Sequence, residues 1–436
     1  MPLKTILFAL FFGSCCIGAL FAPMAGVIGY MSMYHIGYRW WMDPLAHLSI
    51  RYSFMLALFL GIGTVLHWSR LRYGKRFMTG QEWLLLAMVG VLWLSKYIGL
   101  PGREAMPWED PDEVKITKVI VFALLLTHVV TTPRRLSAVL WVLTAGGLYL
   151  GWLAFTAGPG AFVTGRVEGI GGPDFKDANF FGVHLAAALP VIAVQFMRSD
   201  WRAKWLPVLA AAFAVNGLIM TRSRGAFLAA AIGGVLAVPL APKRRRGLIL
   251  VVLLIGALGA YALTDPGFIE RMSTIETSPE KMDKSSYGRW LAWTTSLSMV
   301  RDRPWGFGAG NFPRYAGEYD AALKQRDPHN TFVKCYVELG VQGLIVLLAL
   351  IGNAIYILWK APRLAEGTAD ERDVRYFSYA LLLALAIFLA GGMTVTETYI
   401  EELWWMLALP VCLYRVAENA RADSEGRITA IEEPGN

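Results

Sequence analysis

Uninterrupted apolar runs of about 17 to 25 residues recur along the whole of this 436-residue chain, and a run of that length is what a helix needs to cross a hydrocarbon core. The runs predict helices near 3–20, 52–68, 83–99, 116–131, 135–157 and 178–197, then near 203–221, 224–241, 247–263, 331–359, 376–394 and 399–416. Residues 21–36, FAPMAGVIGYMSMYHI, are also apolar, but Pro23, Gly26 and Gly29 mark them as a broken or re-entrant piece, and the sequence leaves open whether they cross. The expected fold class is therefore all-α, a polytopic integral membrane protein of about 12 transmembrane helices. It forms one transmembrane domain over residues 1–436, with a large outer loop at 264–330 and a polar tail at 417–436.

Charge placement orients these spans. A net charge of +8 could suggest a nucleic-acid partner, but the basic residues gather on one side. The clusters RLRYGKR, PRR, RSDWRAK and KRRRG, and the segment from Lys360 to Arg375, follow alternate spans. The positive-inside rule assigns them to the cytoplasm, and they argue against nucleic-acid binding. With Lys4 and the tail AENARADSEGRITAIEEPGN on the same inner side, the number of crossings must be even; thirteen would put Lys4 outside. No A-x-A-like cleavage site follows the first 20 residues, so they read as an anchor. Cys15, Cys16, Cys335 and Cys412 all fall in apolar segments without metal-site or disulfide spacing, and read as packing residues.

Four places then face outward: PGREAMPWEDPDEVK, GPGAFVTGRVEGIGGPDFKDAN, the tight junction TRSRG and the long loop. They hold Arg166, Arg222, Arg224 and Arg289, against the general bias. Each alone could snorkel to headgroups or pair with a loop carboxylate. In TRSRG, however, only Arg222 to Gly225 separate two helices, and Arg224 opens the second. There free N–H groups and the helix dipole add to an anion-attracting field suited to a diphosphate.

In the long loop, Trp290, Trp293, Leu297 and Val300 recur at helical spacing after Gly288 and predict an amphipathic helix. The run GFGAG at 306–310 superficially resembles a nucleotide-binding glycine loop, but no strand precedes it. It reads as a turn that lets backbone approach another element. His329 is the last polar outward residue before a span. A lone histidine is usually structural; this one shares a rim with the arginines, whose charges disfavour imidazolium and leave a neutral general base. Lys334 and Glu338, one turn apart, are expected to neutralise each other, and His184 is expected to be structural.

The stretches SRGAFLAA, GRWLAW, RPWGFGAGNF and PHNTFVKCYVELGVQG, in this order around one large outer loop, resemble the O-antigen ligase and polymerase superfamily of bacterial inner-membrane enzymes. DFKDANFFGVHLA, with Asp177 and Asn179, adds to the resemblance, which covers roughly residues 160–350. It implies a glycosyltransferase that moves a glycan from undecaprenyl diphosphate to an acceptor hydroxyl on the periplasmic side. In the ligase branch that acceptor is the lipid A core of lipopolysaccharide.

By the same resemblance Arg224, Arg289 and His329 are catalytic. Arg166, Arg222, Asn179 and Asn330 are expected to contact substrate. No Asp-x-Asp pair for a nucleotide-sugar metal stands in the outer loops, so no metal or other cofactor is expected. The implied partners are the lipid-linked donor, the acceptor and membrane lipids. A polymerase or protein O-oligosaccharyltransferase of the same superfamily, or a lipid-linked glycan transporter, would carry similar features.

Overall fold

The computed structural model describes residues 2–37, 41, 51–71, 76–102, 110–262 and 284–432, without the side chains of 260, 284, 285 and 427–432. Thirteen of its helices form the bundle. They are α1 (Leu3–Phe21), α2 (Pro23–His35), α3 (Tyr52–Leu66), α4 (Gly80–Ile98), α5 (Asp112–Val129), α6 (Pro133–Phe155), α7 (Ala178–Arg198), α8 (Trp205–Thr221), α9 (Arg224–Leu240), α10 (Arg246–Ala262), α13 (Thr331–Leu364), α14 (Glu371–Gly391) and α15 (Glu401–Glu432). Between α10 and α13 lie α11 (Lys284–Asp302) and α12 (Phe312–Tyr319). The described strands are a two-residue hairpin, β1 (Phe162–Val163) and β2 (Arg166–Val167). Among the described residues α1, α6, α7, α13 and α14 are long and apolar enough to cross a membrane, and α3, α8 and α9 are shorter apolar helices.

Residues 21–36 are not a broken piece. Pro23 stands at the first turn of α2, where its missing N–H costs nothing. The glycines are a packing face: Gly18 lies against Ala25, Gly26 against Ala19 and Gly29 against Cys15, so α2 folds back along α1. A Cβ on Gly29 would stand 2.7 Å from that of Cys15, so a side chain there would push the helices apart.

Helix α3 in turn runs parallel to α1. The Phe8 and Phe12 rings meet Tyr52 edge-on at 5.4 and 5.1 Å, while Gly63 abuts Ala19. Thr5 Oγ1 donates to the Trp41 carbonyl at 2.8 Å, which ties the start of α1 to the segment leaving α2.

Two polar layers mark the bundle's ends. At one, Arg415 donates to Glu82 at 2.8 and 2.9 Å and Thr127 donates to the same carboxylate at 2.6 Å; Arg198 holds Asp373 at 2.6 Å nearby along α7 and α14. At the other, Lys115 pairs with Asp174 at 3.0 Å, Lys96 with Glu113 at 2.7 Å, and Tyr30 donates to Glu401 at 2.9 Å. The second end also carries the β-hairpin, α11 and α12.

From α1 on, the legs alternate. The start of α1 therefore lies at the hairpin end with the start of α3, and the basic clusters lie at the other. This differs from the expectation of Lys4 beside those clusters.

Helix α15 continues into the expected tail, with Ala417 and Ala420 buried and Asn419 donating to the Thr131 carbonyl at 3.0 Å. Residues 103–109, 263–283 and 433–436, parts of the expected outer loops and tail, lie outside the described residues.

Single-cysteine labelling checks the leg count. The four native cysteines are buried, and a side chain at Gly160 or Gly247 meets nothing within 4 Å. In oriented vesicles an impermeant maleimide should label Lys4→Cys together with Gly160→Cys, from the face opposite Gly247→Cys. Labelling of Lys4→Cys with Gly247→Cys would restore the even count.

Candidate active site

Of the helices that begin at the hairpin end, α7, α9 and α13 each begin on a polar cap. Asp177 accepts the N–H groups of Asn179 and Phe180 at 2.7 and 3.1 Å ahead of α7. Ser223 accepts from Ala226 at 3.3 Å ahead of α9. Asn330 accepts from Phe332 and Val333, both at 3.0 Å, ahead of α13. The three are joined: Ser223 Oγ donates to Asn179 Oδ1 at 2.9 Å, and Gly225 is pressed against Thr394 of the linker between α14 and α15. That linker is stitched to the start of α13, with Asn330 Nδ2 donating to the Met393 carbonyl at 3.1 Å and the Thr331 N–H to that of Gly392 at 2.7 Å. Three helix N-termini on one surface make an anion-attracting field.

The arginines enter this surface from four elements. Arg166, on β2, donates through Nε to the Thr221 carbonyl at 2.9 Å and through Nη2 to Asn179 Oδ1 at 2.7 Å. Burial lowers its pKa, and Arg224 adds to that effect while Asp177 and Glu168 oppose it. Arg222 ends α8 in the left-handed region, φ +46°, and lays its guanidinium against Gly165 of the hairpin turn. Arg224 opens α9 and reaches α11 through Nη2, donating to Ser286 Oγ at 3.1 Å. Arg289, also on α11, lies close enough to act electrostatically on His329. Asn179 thus binds Arg166 and Ser223 and orders the site from beneath.

His329 also has a left-handed backbone, φ +49°, a conformation that costs a non-glycine residue energy unless its surroundings fix it. Its N–H donates to Asp327 Oδ1 at 2.8 Å, while Trp293 of α11 donates to the Pro328 carbonyl at 2.9 Å. Burial holds the imidazole below the ordinary histidine range, as do the charges of Arg289 and Lys334, against the pull of Asp327 and Asp177.

Several expectations change here. Asn330, expected at the substrate, spends its carboxamide on capping α13 and on Met393. Lys334 turns outward to Asp327, Nζ to Oδ2 2.7 Å, instead of down the helix to Glu338. Glu338 instead accepts the N–H groups of Gly310 and Phe312, at 3.0 and 2.8 Å, and the Tyr399 hydroxyl at 2.6 Å.

On α11 the expected stripe splits. Val300 is buried and Leu297 is 60% exposed, because the inward face runs through Ala292, Ser296, Met299 and Val300. The helix also starts before Gly288, at Lys284. His184 is structural in the sense expected, but it has a partner that sequence distance hid: its Nδ1 lies 2.6 Å from Glu402 Oε2.

The glycine run does serve close backbone approach. Gly340, φ +73°, breaks α13, and the carbonyls of Val337 and Glu338 accept instead from Phe307 and Gly308, both at 2.9 Å. A Cβ on Gly306 would stand 2.5 Å from the Glu338 oxygen. Among the described residues no group of three or more His, Cys, Asp or Glu could hold a metal ion. A cavity of about 640 Å³ between α3 and α5, lined by Phe54, Ile62, Val121 and their neighbours, contains none of the site residues.

No curated protein matches this chain. A solved structure described as "Structural coordination of polymerization and crosslinking by a peptidoglycan synthase complex" is 18% identical over 78% of this chain and 97% of its own, with a TM-score of 0.41. That likeness is too loose to carry an argument. The O-Antigen ligase family model matches residues 208–348, the segment that holds Arg222, Arg224, Arg289, His329 and Asn330. That match supports membership of the O-antigen ligase and polymerase superfamily and leaves the branch open.

Proposed function

We propose that the chain is a lipid-linked glycan glycosyltransferase of the ligase branch. It takes a polysaccharide from undecaprenyl diphosphate and gives it to a sugar hydroxyl of the lipid A core, at the periplasmic face of the bacterial inner membrane. The observation that carries this reading is the placing of the His329 imidazole beside arginines and three helix N-termini, where burial holds it below the ordinary histidine range. One surface thereby offers a base and an anion site together.

In this mechanism Arg224 and Arg289 hold the diphosphate, and Arg166 and Asn179 brace the surface on which it rests. Arg222 stands at the hairpin side. His329 takes the proton of the acceptor hydroxyl as its oxygen attacks the anomeric carbon. The bond to the diphosphate oxygen breaks with its electron pair leaving on undecaprenyl diphosphate. Attack opposite the leaving group inverts the anomeric centre in one step, and charge on the leaving group is met by guanidinium without a metal ion.

A transporter reading would draw on ionisable residues inside the bundle. Among the described residues two such sets are closed pairs: the side chains of His184 and Glu402 are 2% and 3% exposed, and those of Arg415 and Glu82 are 1% and 0%; Glu397, also buried, lies in the linker between α14 and α15 and not within a span. Reconstitution with an undecaprenyl-diphosphate glycan and candidate acceptors, with and without EDTA, separates the branches. Transfer to lipid A core supports the ligase, chain extension of the donor the polymerase, transfer to protein the protein-directed branch, and movement without transfer the transporter. A strict divalent-metal requirement would remove the arginine mechanism.

Arg224→Ala and Arg289→Ala should each lower turnover by on the order of 10² to 10³, the scale seen when one preorganised charge-stabilising donor is lost. Lysine should restore little, lacking the planar fork. Near-normal turnover in either alanine variant would remove that residue from the diphosphate site.

His329→Ala should lose on the order of 10² to 10⁴ in single-turnover rate with donor affinity retained, and His329→Gln should not recover it. The base must be unprotonated, so the rate should fall as pH drops through the imidazole pKa. Because that pKa is depressed, the midpoint should lie below the ordinary histidine value of 6.5. A Gln variant of full rate would leave His329 a helix-entry residue only.

A further inference from the structure

Asp327 is half-buried beside His329, and its carboxylate gathers three elements of the fold. Oδ1 accepts the His329 N–H at 2.8 Å and the Thr396 hydroxyl from the linker between α14 and α15. Oδ2 accepts from Lys334 Nζ at 2.7 Å on the first turn of α13. These contacts outweigh the burial that would otherwise raise its pKa, and they hold it ionised. The His329 turn needs such a clamp, since φ +49° is not a conformation that histidine keeps unaided.

We propose that Asp327 is the positioning residue of this site: one carboxylate fixes the left-handed turn that presents His329, and its balance against Lys334 sets how readily that ring takes up a proton. The inference rests on the reading of His329 as the base, and extends it to residues that never touch substrate. Four charged groups bear on the ring: Asp327 in its own loop, Arg289 from α11, Asp177 ahead of α7, and Lys334 on α13. Removing Asp327 deletes an attraction for imidazolium, whereas removing Lys334 deletes a repulsion. The two changes must act in opposite directions, although each breaks the same 2.7 Å pair. A merely structural role for the pair would give the two variants the same effect.

The test reads His329 directly. Diethyl pyrocarbonate modifies neutral imidazole, and tryptic cleavage after Arg326 leaves a peptide in which His329 is the one histidine between there and Lys334. Modification of the full-length protein in detergent is followed by mass spectrometry across pH. Asp327→Asn keeps an acceptor for the His329 N–H and should lower the midpoint by about one pH unit, tenfold in the ratio of neutral to protonated ring. Lys334→Met should raise it by a similar amount, and the double variant should return it towards the parent. An unmoved midpoint in either single variant, or shifts of the same sign, would overturn the proposal.

Should Asp327→Asn fail to fold, Lys334→Met decides alone: a raised midpoint supports the proposal, and an unmoved or lowered one overturns it. Single-turnover transfer from the undecaprenyl-diphosphate glycan is measured on the same variants. A rate profile that ignores a shifted labelling midpoint would end the role of His329 as base, yet leave Asp327 as the residue that positions it.

Discussion

Backbone N–H groups at the start of a helix have no partner within the helix, and at the edge of a membrane water is a scarce substitute. Much of the site follows from meeting that demand three times over in one place. Asp177, Ser223 and Asn330 each spend an oxygen on a first turn. Asn179 and the linker between α14 and α15 then lock the three turns together. Because the caps are tied to one another, the dipoles they terminate are held in a common direction, and Arg224 on the first turn of α9 and Arg166 bound to Asn179 are held with them.

A second demand is met by breaking a helix. Gly340 interrupts α13, and the carbonyls of Val337 and Glu338 are taken up by the loop at Phe307 and Gly308. The same loop gives the Phe307 carbonyl to the N–H of Leu100 after α4, and Glu338 gives its carboxylate to the loop's amides at Gly310 and Phe312. A loop fixed at both flanks by main-chain bonds is a stiff support for α11, which carries Arg289 and, one turn on, Trp293 against Pro328. Helical breakage in the span and order in the loop are therefore one arrangement.

Periodicity and charge made the spans legible in the sequence, since both are local. The placement of Arg222 and Arg224 at one helix junction was legible because a connection as short as TRSRG leaves few positions for an arginine. What was hidden is pairing between distant segments. The α1–α2 hairpin was masked because Pro23, Gly26 and Gly29 signal a break by composition, whereas in place they begin a helix and let it pack closely. Glu338 stood one turn from Lys334, but Asp327, across the helix start, offered a carboxylate that could also cap the His329 turn. The partner of His184 lies 218 residues away, on α15, and no spacing rule reaches that far. Asn330 beside a histidine reads equally as a ligand or as a cap; only the position of α13 and Met393 distinguishes them.

The balance of charge around His329 has a direction in time under the proposed mechanism. Without donor, burial and the neighbouring cations hold the ring below the ordinary histidine range, which favours its arriving at the reaction able to accept a proton. A diphosphate bound at Arg224 and Arg289 brings negative charge to the same surface and offsets the field that depresses imidazolium. The ring therefore becomes more basic when the leaving group is in place, while Asp327 keeps its orientation unchanged. Once the diphosphate carrier departs, the uncovered arginines again disfavour imidazolium and help to expel the proton. A cation cluster that both binds the leaving group and lowers the pKa of the base thus ties the strength of that base to the presence of its substrate.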